Sequence, residues 1–108
     1  MYNIVLLCQW GASTGMMCEK ISEAAKEKGI DVVANAYAVT DIQKVINDAD
    51  IILLGPQVRF KMNSLLKEYG NRGIPFMVMK PEDYGRLNGE NILNAALAAI
   101  EENNNKET

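Results

Sequence analysis

The sequence contains no histidine. Serine and cysteine hydrolases of the usual kind take the proton from their nucleophile with an imidazole, and phosphohistidine carriers need the ring itself. Neither route is open here, so covalent chemistry would have to rest on a nucleophile activated by backbone dipoles. Cysteine is nearly as scarce: Cys8 and Cys18 stand ten positions apart, outside any C-x-x-C pair. That supply builds no common zinc site and no disulfide framework, so no metal or cofactor is expected and both thiols are expected to be reduced. Long apolar runs are missing too. Nothing approaches the ~20 residues that span a bilayer, and no signal-peptide pattern precedes the first strand. The expectation is a soluble, cytoplasmic protein with no direct membrane insertion. Basic clusters are absent: 11 Lys and Arg are scattered against 14 Asp and Glu, for a net charge of −3. A nucleic-acid partner is not expected on that balance. With 108 residues and 48% apolar content, the chain has room for one core and no second domain.

What is present is organised around the stretch from Asn3 to Met17. A buried-strand pattern ends at Cys8, passes through the loop Gln9, Trp10, Gly11, Ala12, Ser13, Thr14, and enters a segment of helical period at Gly15 and Met16. Loop glycines let backbone N–H groups converge. The following helix aims its unpaired N–H groups and the positive end of its dipole at the same point. A thiol at such a place has its pKa lowered and acts as a nucleophile. A second reading stands beside this one: Cys8 is a buried strand residue, and the glycines make an ordinary strand-to-helix turn.

Along the chain, Ser13 or Thr14 can cap a first helix carrying Met17, Ile21, Ala24, Ala25 and the stem of Lys28 on one face, stopping at Gly29. Cys18 lies at the edge of that stripe and reads as a small core-flanking residue. A second strand is expected over 30–37, then a short helix from Thr40 and Asp41 through Ile42, Val45 and Ile46. Residues 49–54 form the clearest strand, apolar on both faces as a central parallel strand must be, and it ends at Gly55-Pro56-Gln57. Val58, Met62, Leu65, Leu66 and Tyr69 share a helical stripe closed by Gly70. A fourth strand over 74–79, with Pro75 near its start, belongs at an edge. A turn-rich crossing over 80–85 follows. The last helix starts from Asn88 and buries Ile92, Leu93, Ala96, Leu97 and Ile100. The domain is expected to occupy 1–102, with 103–108 as a disordered polar tail.

Four strands alternating with helices give a single three-layer α/β domain: an open four-stranded parallel sheet of order 2-1-3-4, helices on both faces, and a phosphate-binding loop after strand 1. In that order the switch point lies between strands 1 and 3, so the loop after Cys8 and the Gly55-Pro56-Gln57 turn face one crevice. The site expected from chemistry and the site expected from topology coincide.

These residues resemble a known family. The strand ending in Cys8, the loop from Gly11 to Thr14, the Leu53-Leu54-Gly55-Pro56-Gln57-Val58 turn, Tyr84-Gly85 and the alanine-rich last helix are similar, in order, to the IIB component (EIIB) of the lactose/cellobiose/chitobiose family of bacterial sugar phosphotransferase systems. Gln9, Trp10 and Ala12 depart from the small residues expected of such a loop. The resemblance implies a phosphoryl carrier. Cys8 accepts phosphate from a phosphohistidine of EIIA and passes it to a β-linked disaccharide of cellobiose, chitobiose or lactose type held by the membrane EIIC. The protein would then be cytoplasmic and peripheral at the membrane through EIIC, and the absent histidine would sit on the donor.

The loop from Gln9 to Met16 is the expected phosphate cradle, its N–H groups facing a near-dianionic thiophosphate and the Ser13 and Thr14 hydroxyls either adding donors or capping the helix. Gln57, Arg59 and Tyr84 are expected to flank the site. Arg59 and Lys61 either meet acidic groups on a partner or are simply solvated, and Trp10 either anchors a partner or packs on its own loop. Two other functions remain. Low-molecular-weight cysteine phosphatases share the strand-terminal cysteine but resemble C-x5-R, whereas the sixth position after Cys8 is Thr14; Glu82 or Asp83 could supply an acid for weak hydrolysis. A non-catalytic flavodoxin-like adaptor domain is the other.

Overall fold

The computed structural model describes residues 1–9 and 15–106. Among them the chain forms a four-stranded sheet in the order β2-β1-β3-β4, all pairs parallel, as the alternation of strands and helices required. β1 (Tyr2–Cys8) pairs along its whole length with β2 (Val32–Ala38) and lies on its other side against β3 (Ile51–Leu54), which carries β4 (Phe76–Val78) at the edge. α1 (Gly15–Glu27) and α5 (Gly89–Lys106) cover one face of the sheet. α2 (Ile42–Val45) and α3 (Met62–Tyr69) cover the other.

Pleat parity explains the two core layers. Ile4 and Leu6 of β1, with Ile51 and Leu53 of β3, pack with Met17, Ile21, Leu93 and Ala96. Val5, Leu7, Ile52 and Leu54 point the other way, onto Ile42, Ile46, Val58, Leu65 and Tyr69. Both central strands are therefore buried on two sides, which is why they read as uninterrupted apolar runs. At the amino end of the sheet Asn3 fixes the β1–β3 register. Its N–H donates to Asp50 Oδ2 at 2.6 Å, its side-chain amide donates to the Asp48 carbonyl at 2.7 Å, and its carbonyl accepts from the Asp50 N–H at 2.8 Å.

Several boundaries differ from the sequence expectation, each for a local reason. β2 starts at Val32 because Ile30 is used by the end of α1. Gly29 turns left-handed (φ +70°), the Ile30 N–H donates to the Ala25 carbonyl at 2.9 Å and the Gly29 N–H to that of Lys26 at 3.2 Å, a helix-ending pair of bonds. Lys28 lies beyond the helix and is exposed. The helix expected after β2 is a single α turn, α2, between two 3-10 turns, Val39–Asp41 and Ile46–Asp48. Before α3 the chain makes a 3-10 stretch, Pro56–Lys61. Val58, Leu65 and Tyr69 are buried, but Leu66 is 43% exposed, because it lies a further 100° round the helix from Leu65. The glycine that turns left-handed before β4 is Gly73 (φ +76°), while Gly70 stays right-handed. β4 is shorter than expected, although the Pro75 carbonyl still accepts from Ile52 N–H and the Met79 N–H donates to Leu54, each at 2.9 Å. The crossing after it contains α4 (Pro81–Gly85), with proline at the first turn.

α5 starts beside Asn88, whose side-chain oxygen accepts from the Asn91 N–H at 3.1 Å, as an N-cap does. The helix runs on through Lys106, past the expected boundary at residue 102, and Asn103 ties its last turns to the loop before β4 by donating to the Gly73 carbonyl at 2.8 Å. Its first residue approaches the backbone of α1 closely. A Cβ on Gly89 would lie 2.7 Å from the Ile21 nitrogen and closer still to the Lys20 carbonyl group. These are backbone atoms of α1 and have no rotamer to change. Gly89→Ala is expected to cost about 1–3 kcal/mol by overpacking, read as a lower urea midpoint at unchanged slope; an unchanged midpoint would show that α1 and α5 separate easily.

Candidate functional site

The crevice forms where β1 and β3 end side by side. Leu7 is registered opposite Leu54, and the Gly55 N–H extends the pairing by donating to the Leu7 carbonyl at 2.9 Å. Gly55 is thereby the neighbour of Cys8: a Cβ at position 55 would stand 3.7 Å from the Cys8 Cβ and 2.8 Å from Gln57 Oε1. The glycine leaves the space that the Gln57 amide oxygen folds into. Pro56 opens the 3-10 turn, and the Val58 N–H closes it on the Gly55 carbonyl at 3.0 Å. The amide of Gln57 therefore lies over Gly55, beside the cysteine, at the switch point the topology requires.

Cys8 is 1% exposed and Cys18 8%. Neither is in a disulfide. Of the expected phosphate loop, Trp10, Gly11, Ala12, Ser13 and Thr14 lie outside the described residues. Gln9 is exposed after Cys8, and Gly15 and Met16 are exposed at the start of α1. The first turn of α1 carries no acidic residue, so its unpaired N–H groups and dipole act on an anion without opposition from their own helix. Burial first, and then the negative charge of Cys8, push the Cys18 thiol up to about 11. Cys18 is therefore held protonated at neutral pH, and it lies close enough to Cys8 to be affected by a charge there.

Arg59 is exposed in the 3-10 turn and Lys61 half-buried at its end, both on the stretch that leaves the crevice. Between them Phe60 is 73% exposed. Its sequence signal is its position off the stripe formed by Val58, Met62, Leu65 and Tyr69. Tyr84, on α4, is half-buried against the core layer that holds Met17, Cys18 and Met79. A hollow of about 430 Å3 lies elsewhere, lined by Met77, Lys80, Asp83, Asn91 and neighbours, and contains none of the crevice residues. Among the described residues no group of three or more Cys, Asp or Glu is placed to hold a metal ion.

Comparison with known proteins agrees with this geometry. Residues 3–95 match the family described as PTS system, lactose/cellobiose-specific IIB subunit. The chain is 36% identical over 98 residues to the galactose-specific EIIB component of Lactococcus lactis subsp. cremoris, and 35% identical over 98 residues to the cellobiose-specific EIIB component of Lactococcus lactis subsp. lactis, in each case over 86% of this chain and 91% of the relative. A lactose-specific EIICB component of Lactococcus lactis subsp. lactis is 25% identical over 85 residues, which is 79% of this chain and 15% of that longer one. The solution structure of the cellobiose-specific phosphotransferase IIB component from Borrelia burgdorferi superposes with a TM-score of 0.79 at 36% identity, covering 94% of each chain. A strand-terminal cysteine at the switch point and a family match across most of the chain lead to one conclusion: the chain belongs to the lactose/cellobiose-specific IIB family of the sugar phosphotransferase system.

Proposed function

We propose that Cys8 is the residue that carries the phosphoryl group in this EIIB component, and that it passes the group to a β-linked disaccharide of cellobiose, chitobiose or lactose type. Members of the family are phosphoryl carriers that transfer from protein phosphohistidine to sugar and work with EIIA and EIIC. The observation that carries the assignment is the position of Cys8 at the end of β1, beside Gly55 and Gln57 and ahead of a helix start free of acidic side chains.

In the first step the Cys8 thiolate attacks the phosphorus of the EIIA phosphohistidine in line. The S–P bond forms, the N–P bond breaks, and the imidazole leaves. In the second step a sugar hydroxyl attacks the same phosphorus, an O–P bond forms, the S–P bond breaks, the hydroxyl proton is released and the thiolate is restored. The chain must hold a dianion between these steps. The N–H groups of residues 9–16 and the start of α1 favour that charge, with Gln57 beside them and Ser13 and Thr14 as hydroxyl donors. Arg59 and Tyr84 are assigned to the flank that meets the partners, EIIA as donor and EIIC with its bound sugar as acceptor. None of the described helices is long and apolar enough to cross a membrane; the chain is assigned to the cytoplasmic side, reaching the membrane through EIIC. The cellobiose-specific name of one relative supports a sugar of this class, while the galactose-specific name of another is that of a monosaccharide.

Cys8→Ser is expected to lose phosphoryl acceptance from phosphorylated EIIA while keeping its circular dichroism and unfolding midpoint, and a folded Cys18→Ser to keep acceptance. A phosphorylated Cys8→Ser protein would overturn the assignment. The same electrostatics predict that Cys8 titrates below the ~8.5 of a free thiol, measured as the alkylation rate of Cys18→Ser against pH; a midpoint at or above that value would refute the anion site.

Carrier and phosphatase differ in what happens next. A phosphatase clamps the equatorial oxygens with arginine and hydrolyses its cysteinyl phosphate, whereas Thr14 occupies that position here. Phosphorylated protein is therefore expected to persist in water far longer than one transfer event, to discharge on addition of EIIC and sugar, and to leave aryl phosphates unhydrolysed. Rapid multiple turnover of an aryl phosphate by the chain alone would replace the carrier with a phosphatase.

A further inference from the structure

We propose that Cys8 and Cys18 form an oxidation site: under a two-electron oxidant such as hydrogen peroxide they close into an intrachain disulfide that withdraws Cys8 from phosphoryl transfer. The consequence for transfer rests on the carrier reading above; the crosslink does not.

Three observations place the two side chains on the same side of the sheet and near each other. Cys8 has the same pleat parity as Ile4 and Leu6, which face α1 and pack in the layer that contains Cys18. Cys18 lies on the buried stripe of α1, one turn in from the start of the helix that follows Cys8. The Cys8 charge is felt at Cys18. A shallow hollow lined by Cys18, Glu19, Ser22, Glu23 and Ala34 opens beside the second thiol.

The order of events follows from the contrast between the two groups. The Cys8 thiolate attacks one oxygen of the peroxide and breaks the O–O bond, giving Cys8 sulfenic acid and hydroxide. Cys18 is protonated while Cys8 is charged. Conversion of Cys8 to an uncharged sulfenic acid removes one of the two causes that hold the Cys18 proton, at the moment a second nucleophile is needed. The Cys18 thiolate then attacks the sulfenic sulfur, the S–S bond forms and hydroxide leaves. The two thiol protons and two hydroxides make two waters, so one peroxide is reduced for each disulfide. The product encloses residues 9–17, the proposed phosphate cradle, in a covalent ring.

Both cysteines fall in one tryptic peptide, residues 1–20, because the first Lys or Arg is Lys20. The purified chain is treated with equimolar peroxide, alkylated, digested and weighed. The expected product is peptide 1–20 lighter by two hydrogens and carrying no alkyl group, and phosphoryl acceptance falls in parallel and returns with dithiothreitol. Counting alkyl groups separates this product from oxidation of Met1, Met16 or Met17 in the same peptide. Cys18→Val, checked for an unchanged circular dichroism spectrum, is expected to stop at Cys8 sulfenic acid with one equivalent of peroxide and to proceed to Cys8 sulfinic acid with a second, with a loss that dithiothreitol does not then reverse. A disulfide demands Cα atoms about 4.4–6.8 Å apart, so the result is discriminating. Wild-type protein that gives sulfinic acid or an interchain dimer, with Cys18 still alkylatable, overturns the proposal. A disulfide in a chain that never accepts phosphate overturns the carrier reading and leaves the oxidation site standing.

Discussion

The structure depends on the parallel pairing of β1 with β3. Leu7 opposite Leu54, extended by the Gly55 N–H on the Leu7 carbonyl, brings the ends of two strands far apart in sequence to the same point. The Asn3–Asp50 bonds hold the other end of the pair in that register. A slip of one residue would exchange the two faces of β1 and put Val5 and Leu7 against α1. Both faces of β1 are apolar, so what opposes the slip is the loss of the Asn3–Asp50 bonds and of the fitted packing in each layer, and the resulting register sets where Cys8 stands. The position of Cys8 is thus a consequence of core packing along β1 and β3.

Two thiols in one small domain illustrate how environment divides identical groups. Cys18 is surrounded by apolar side chains of α1 and the sheet and is held protonated. Cys8 ends a strand, at the edge of that apolar layer, where α1 begins and where the next turn contributes a glycine and an amide. The division rests on where each stands relative to the end of the sheet.

Most of the architecture was legible because it is written in periodicity. The central strands are apolar on both faces, α1 repeats its buried positions at helical spacing, and the sheet order follows from the parallel crossovers. Boundaries were less legible where one residue serves two elements, as Ile30 does in ending α1. Leu66 looked buried because its neighbours on the stripe are, and one further step of 100° takes it to solvent. The polar residues of the last turns of α5 carry no apolar signal, yet Asn103 finds a carbonyl at Gly73. Gly89 and Gly55 could not be separated from ordinary turn glycines, since what matters at each is the atom that a Cβ would strike, and that atom belongs to a distant segment. For the crevice, the placement of Cys8 at the end of β1 and of Gln57 in the turn after β3 was legible from the strand–turn patterns, whereas the closeness of Cys18 to Cys8 is a property of the packed fold alone.

The most direct measurement of the central claim is the location of the phosphoryl group on this chain. The protein is incubated with EIIA that has been phosphorylated and freed of its own donor, and the products are weighed intact and after digestion under conditions that preserve thiophosphate. The account predicts one phosphoryl group per chain, in the peptide of residues 1–20 and on Cys8, with an equal loss from EIIA. A phosphoryl group on Ser13, Thr14 or Cys18, or a chain that stays unmodified while EIIA keeps its phosphate, would contradict it.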